Sequence, residues 1–386
     1  MSKIVLFGWI ILLTACQSNS FDPTGKYQLM ITGMKNVADG ALEVVGEPDD
    51  YFGCITLNAK KQRVFELGMT FGDKDSMAFK LPGGGFLRLK KEDNNWIGRF
   101  KYFGLQAKVS GEKTGGPSKE MQSLVPLKPI GKGVISTEAE ESFPCYDASN
   151  KILYFTRDNV IYQSKHLQAK SWGVPDTVTF SGIYNDSAPR ISNNGEWMIF
   201  TSNRPVSGEK TGKKNLWVAR KEQNIWQQPE ILPNPINVDT LGDYHGLQSA
   251  KGNYYFVSYN RAGGFGRSDL YFASKNAENE YQVENIGDVI NTQKSEADVY
   301  IEPEERYLLF ASTDRADSYG ADDIYISFRR DSIWSQPVSL GSKVNSFAYE
   351  YGAWVDQQSG YLYFNSYRRG SSDIYRVPLQ ELAVFK

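Results

Sequence analysis

EADVYIEPEERYLLFASTDRADSYGADDIY, residues 296–325, decides the fold of this chain. It opens on an acid, Glu296, and runs through alternating apolar residues to a polar turn at residues 302–306. A second apolar run ends at Phe310, a Gly-containing loop carries Arg315, and Asp323-Ile324-Tyr325 opens a third apolar stretch. Period-two alternation separated by turn residues is the pattern of antiparallel strands. The same order recurs four times: from Glu141 through Phe155 and Arg157 to Asn159-VIY, from Asp186 through Phe200 and Arg204 to Asn215-LW, from Asp243 through Phe256 and Arg261 to Asp269-LY, and from Glu350 through Phe364 and Arg368 to Asp373-IY. The closing aromatics Tyr162, Trp217, Tyr271, Tyr325 and Tyr375 are 55, 54, 54 and 50 residues apart. A period near 50 residues built from strands indicates a propeller or an array.

Between copies lies a fourth segment, seen as Trp226-QQPEILPNPIN, Tyr281-QVENIGDVIN and Trp334-SQPVSLGSKVN. Four short antiparallel strands per copy make a propeller blade. The fifth copy ends at Lys386 without that segment, but Ile130-Gly131-KG-Val134 mirrors Leu340-Gly341-SK-Val344 and Ile286-Gly287-DV-Ile290. The expected fold is therefore all-β, with a five-bladed β-propeller over residues 122–386 that an N-terminal strand closes, so that no sheet edge is left open. Six blades would need a copy from the N-terminal part, and nothing there matches.

Residues 21–113 show eight alternating stretches, from Lys26-YQLMIT to Leu105-QAKVSG, separated by Gly, Asp and Asn turns. They predict a small antiparallel β-barrel or meander domain, followed by a Gly- and Lys-rich linker over residues 114–121. Gly25-x-Tyr27 and Trp96-x-Gly98 resemble a lipocalin in outline, which implies a ligand cavity. The plainer expectation is a spacer or docking module.

The first sixteen residues read as an address. A short basic start precedes a ten-residue apolar run, Ile4 to Leu13, too short to span a bilayer but suited to a signal peptide. Leu13-Thr14-Ala15-Cys16 resembles a bacterial lipobox, which implies cleavage after residue 15, acylation of Cys16 and a polar tether over residues 16–20. No Asp follows the Cys, so the resemblance implies sorting to the outer membrane and a membrane partnership through the lipid anchor alone. Cys54 and Cys145 fall in different domains and are expected as separate thiols, with a disulfide between them as the alternative.

Composition removes several functions. The 386 residues carry 43 Lys and Arg against 45 Asp and Glu, a net charge of −2, so nucleic acid is not an expected partner. Only His166 and His245 are present, neither sits near a Cys at metal-ligand spacing, and neither a metal nor another cofactor is expected.

The blade signature resembles the WD-like repeats of TolB-type propellers, which recur in envelope lipoproteins of the Bacteroidetes group. The resemblance covers some 260 residues, from about 122 to 386. It implies fold; a function taken from it is analogy. Blade number, N-terminal domain and lipid anchor depart from the Tol-Pal protein, so that partnership does not follow.

Two residue sets repeat. The acids Glu141, Asp186, Asp243, Glu296 and Glu350 precede the innermost strands and are expected near the mouth of the central channel, where they would bind cations, basic peptides or sugar hydroxyls. The structural alternative has each acid accepting hydrogen bonds from its own turn. The second set pairs Arg157, Arg204, Arg261, Arg315 and Arg368 with Asn159, Asn215, Asp269, Asp323 and Asp373 across one turn, expected as scaffold. His245, beside Tyr244 and Asp298, breaks the repeat and is the most unusual channel candidate. No catalytic residue is assigned. The expectation is a non-catalytic, lipid-anchored envelope protein that binds a protein or glycan partner. The alternative is a carbohydrate-active enzyme, since arabinanase-type glycoside hydrolases are also five-bladed and place carboxylates around the axis.

Overall fold

A computed structural model describes residues 22–386, apart from 35–38, 48–49, 59–62, 73, 82–84, 103–104, 117, 119–126, 169–170, 207–212, 239–241 and 347. The signal peptide, Cys16 and its tether lie outside the described residues. Eight antiparallel strands, from β1 (Gly25–Thr32) to β8 (Leu105–Gly115), follow one another around a closed barrel, and β1 pairs with β8 to seal it. Alternate residues such as Tyr27, Leu42, Phe79, Leu87 and Phe100 are buried and fill the interior, as expected when eight strands leave room only for side chains. The last strand extends two residues past the expected boundary, because Gly115 still pairs with Lys26.

The remainder is the five-bladed ring. Its innermost strands are Glu141–Asp147, Asp186–Ile191, Asp243–Gln248, Glu296–Ile301 and Glu350–Asp356, each beginning at the repeated acid. Middle strands, such as Ile152–Arg157 and Tyr307–Thr313, carry the buried Phe of each copy. The fourth segment hangs from the third strand of its blade, where Leu232, Ile286 and Leu340 each donate a backbone hydrogen bond to Leu216, Leu270 and Ile324 at 3.0–3.1 Å. The fifth sheet has three strands of its own chain segment. Its missing contact comes from Ile130, whose amide donates to the Ile374 carbonyl at 2.8 Å. The closure therefore sits where the repeat places it, and among the described residues it consists of one hydrogen bond and a buried side chain. The barrel seats on this fifth blade: a Cβ at Gly68 would fall 2.2 Å from the Arg369 carbonyl oxygen, and one at Gly370 2.2 Å from Lys80 Cβ.

One irregularity decides what faces the axis. The third residue of every innermost strand is left-handed: φ is 53° at Phe143, 53° at Ala188, 51° at His245, 56° at Asp298 and 66° at Gly352. Pairing with the middle strand shifts register at the same place in every blade. This is a β-bulge, which re-aims the side chains that follow it. Bulge amides are tied to the preceding blade, Ala188 N to Thr156 Oγ1 at 3.1 Å, His245 N to Thr201 Oγ1 at 3.0 Å and Phe143 N to Asn365 Oδ1 at 2.6 Å. These bonds hold a strained backbone in place and link neighbouring sheets.

Candidate functional site

The five repeated acids are not at an open mouth. All five are fully buried, and each is enclosed by its own blade together with the segment that leads into it. Asp186 accepts from Arg204 Nη2 at 2.7 Å, Ser202 Oγ at 2.6 Å and Ser181 Oγ at 2.8 Å. Glu141 takes Arg157 Nε at 2.8 Å together with the Thr137 amide and hydroxyl. Asp243 pairs with Arg261 at 3.0 Å, while Glu296 and Glu350 lie 3.5 Å from Arg315 and Arg368 and accept from Thr292 and Ser346. Burial pushes Asp186 and Glu296 above the ordinary carboxylate range, against the pull of these donors. A carboxylate with its lone pairs engaged and no exposure offers nothing to a ligand, so the expectation of channel-mouth binding by Glu141, Asp186, Asp243, Glu296 and Glu350 is corrected to a scaffold role.

The partner of the repeated Arg is corrected too. Arg157, Arg204, Arg261, Arg315 and Arg368 meet the acid that opens the inner strand, not the Asn or Asp that opens the third. That second acid closes the loop instead: Asp269 accepts from the Phe265 amide at 3.1 Å and Asp323 from the Tyr319 amide at 2.6 Å. Asn159 is itself left-handed, and Asn215 is buried at a strand start. Asp373 accepts from Ser371 Oγ at 3.2 Å, and burial, with Glu141 nearby, pushes its carboxyl up to about 7. The motif sets both acids beside one loop, and spacing alone does not say which of them the guanidinium reaches.

Two layers of unlike residues close the axis. The bulge layer holds Phe143, Ala188, His245 and Asp298. The rings of His245 and Phe143, on blades that are not neighbours, lie 4.7 Å apart across the centre. His245 Nδ1 is in contact with Asp298 Oδ1, so the residue singled out from the sequence does lie on the axis, with the acid expected beside it. Tyr244, Tyr259, Tyr351 and Tyr367 stack around this end.

The second layer lies two residues further along and consists of Cys145, Arg190, Leu247, Tyr300 and Trp354. Arg190 is completely buried and its guanidinium carbon stands 5.8 Å from the Trp354 ring centre, again across the axis. Tyr300 donates to the Val355 carbonyl, Trp354 Nε1 to the Tyr146 carbonyl at 3.1 Å, and the Ile191 amide to Cys145 Sγ at 3.0 Å. Burial pushes the Cys145 thiol up to about 12, and neither Cys145 nor Cys54 is in a disulfide.

Beyond this layer, where the inner strands end, the ring opens into a cavity of about 610 Å³. Arg190, Tyr300 and Trp354 belong to its lining, together with Tyr146, Trp197, Gln248 and Gln357. Two carboxylates on its wall cap their own turns: Asp147 accepts from Asn150 N and Nδ2 at 3.1 and 2.8 Å, and Asp356 from the Gln358 amide at 3.0 Å. Volume and aromatic-plus-amide lining suit an organic ligand of one or two sugar rings. Sequence reasoning missed this site because its residues differ from blade to blade. The only signal was that departure itself: Arg190 and Trp354 stand where other copies carry Cys, Leu or Tyr.

No family model matches the chain, and no characterised protein matches it in sequence. Solved TolB propellers are among its structural neighbours. TolB from Acinetobacter baumannii is 12% identical, over 87% of this chain and 79% of that one, with a TM-score of 0.39. A glycoside hydrolase is 9% identical over 67% of this chain and 94% of its own, with a TM-score of 0.43. A gluconolactonase from Xanthomonas campestris is 9% identical over 63% and 77%, with a TM-score of 0.38. What these similarities share with the chain is the propeller fold.

Proposed function

We propose that this chain is a lipid-anchored envelope protein, held at the outer membrane through Cys16, whose propeller binds a protein or glycan partner without transforming it. The observation that carries the reading is the axial cavity of about 610 Å³, walled by Tyr146, Trp197 and Trp354 with amides from Gln248 and Gln357. Aromatic faces with a few convergent amides are what a binding site for a sugar or a side-chain anchor requires. The enzyme reading rested on the five repeated carboxylates, and these are engaged by Arg, Ser and Thr inside the blades. The barrel, with its interior filled and its wall seated on the fifth blade, suits a spacer between membrane and ring.

Crosslinking in intact envelopes tests the reading. The native chain is expected to capture a specific protein or glycan, and Gln248→Trp, which fills the cavity, to lose it. Recovery of nothing specific, or equal recovery by both, would overturn it. Cys16→Ser is expected to move the protein from the membrane to the soluble fraction; a variant still membrane-bound refutes the anchor.

A further inference from the structure

Arg190 differs from every other buried arginine of the ring. Among the described residues no carboxylate lies within ion-pair distance of it, and its sole hydrogen bond runs from Nη1 to the Pro144 carbonyl at 3.3 Å. Nε and Nη2 are buried without a partner. Removing a guanidinium from water costs several kcal/mol, and leaving two of its nitrogens unmatched forfeits the usual recovery. Burial accordingly lowers its proton affinity from the ordinary arginine value, opposed by the fields of Cys145, Asp298 and Tyr300. Nε and Nη2 are the two nitrogens of one edge of the fork, the edge that grips a carboxylate through two parallel bonds. The Trp354 ring lies beside the guanidinium, 5.8 Å from its carbon.

From this we infer that the axial cavity is a binding site for a sugar acid, with Arg190 taking its carboxylate and the rim taking its hydroxyls. The inference rests on the binding function proposed above and narrows its ligand. The choice among anions follows from the rim. Asp147 and Asp356, whose oxygens are held by their own turns, still set two negative charges beside the cavity and so disfavour a compact dianion. Gln248 and Gln357 add donors and acceptors, and the partly exposed Trp197 supplies apolar surface for a pyranose ring. The free edge is shielded from water, so the side chain must turn toward the cavity for a carboxylate to reach it.

Calorimetric titration of the full mature chain tests this with three probes: D-glucuronate, D-glucose and inorganic sulfate. Glucuronate is expected to bind one to one and at least about tenfold more tightly than either of the others, the worth of one charge-assisted pair. Arg190→Met is expected to lose that binding at least tenfold while melting higher than the native chain without ligand, because a buried unmatched charge is gone. Arg190→Lys keeps the charge without the fork and is expected to bind glucuronate more weakly than native. Three outcomes would overturn the inference: sulfate bound as tightly as glucuronate, glucuronate bound equally by Arg190→Met, or an Arg190→Met chain less stable than native. Glucose bound as well as glucuronate, with both lost in Gln248→Trp, would sink the sugar-acid assignment and leave the binding function standing.

Discussion

Blade 2 carries two buried arginines, one on its innermost strand and one in the loop after its middle strand, and they belong to different regions. Arg204, in the belt of repeated acids, meets Asp186 at 2.7 Å and the Phe180 carbonyl at 2.6 Å. Arg190, in the axial layer, meets one carbonyl at 3.3 Å. The belt is identical in plan in all five blades, whereas the axial layer is different in each. A repeated residue is satisfied by partners that recur with it, from its own blade or from the segment leading in from the blade before. A residue that occurs once at the axis is free of that constraint, and its unmet bonding capacity is open to something from outside. Repetition therefore marks scaffold and its interruption marks the site, the reverse of a reading that gives function to the most regular acids.

The largest effect that would break this contrast is expected from Arg204→Met, the counterpart of Arg190→Met. It leaves Asp186 buried with its charge uncompensated and should lower the unfolding free energy by about 3–5 kcal/mol, read from urea titrations. If both substitutions shift stability in the same direction and by similar amounts, the distinction between belt and axis fails.

A smaller effect, and one that depends on pH, is expected at Asp373, a scaffold acid with a hydroxyl but no ion pair among the described contacts. Its carboxyl is pushed up to about 7 in the folded chain, above the 3.8 of an ordinary aspartate, chiefly by burial. The stability tied to its protonated form is thus fully present below that ordinary value and is lost as pH rises through about 7. Asp373→Asn, which fixes the neutral form, should match the native chain near pH 4 and exceed it by up to about 4 kcal/mol at pH 8. Urea midpoints measured at the two pH values decide it; equal gaps at both would show that burial does not hold the proton there.

The smallest is expected from Thr201→Val, which removes the acceptor of the His245 amide at nearly constant volume. Loss of that bond should cost about 1 kcal/mol. The third and fourth blades offer an internal comparison, since Val257 and Ala311 stand where Thr156 and Thr201 bond to the following blade. A cost near zero at Thr201 would mean that the bulge is held without its link to the neighbouring blade.

Much of this architecture was legible before any coordinates. Each innermost strand starts at the acid that opened its copy, eight alternating stretches became eight barrel strands, and Ile130 lies where the mirrored Ile-Gly motif put it. Sequence periodicity reads strands well because alternation is a direct record of which face is buried. It could not read the axis, because that depends on a left-handed residue in mid-strand. Gly352 is the only one of the five whose identity hints at such a backbone; Phe143, Ala188, His245 and Asp298 adopt it with a side chain present. With the bulge unseen, Arg190 passes for an ordinary strand residue.

The hydrogen bond between Ile130 and Ile374 also has a consequence in time. Four blades are assembled from contiguous stretches of chain and are complete as soon as each has been made. The fifth is a seam: its two sides lie about 240 residues apart, and bringing such distant ends together costs loop entropy that no local turn repays. The barrel shortens that search. It precedes Ile130 in the chain and rests, through Gly68 and Lys80, on the turn at Arg369 and Gly370 just ahead of the strand to be fastened. Docking of the barrel on that turn would carry Ile130 toward Ile374, and so shorten the loop that the seam must close.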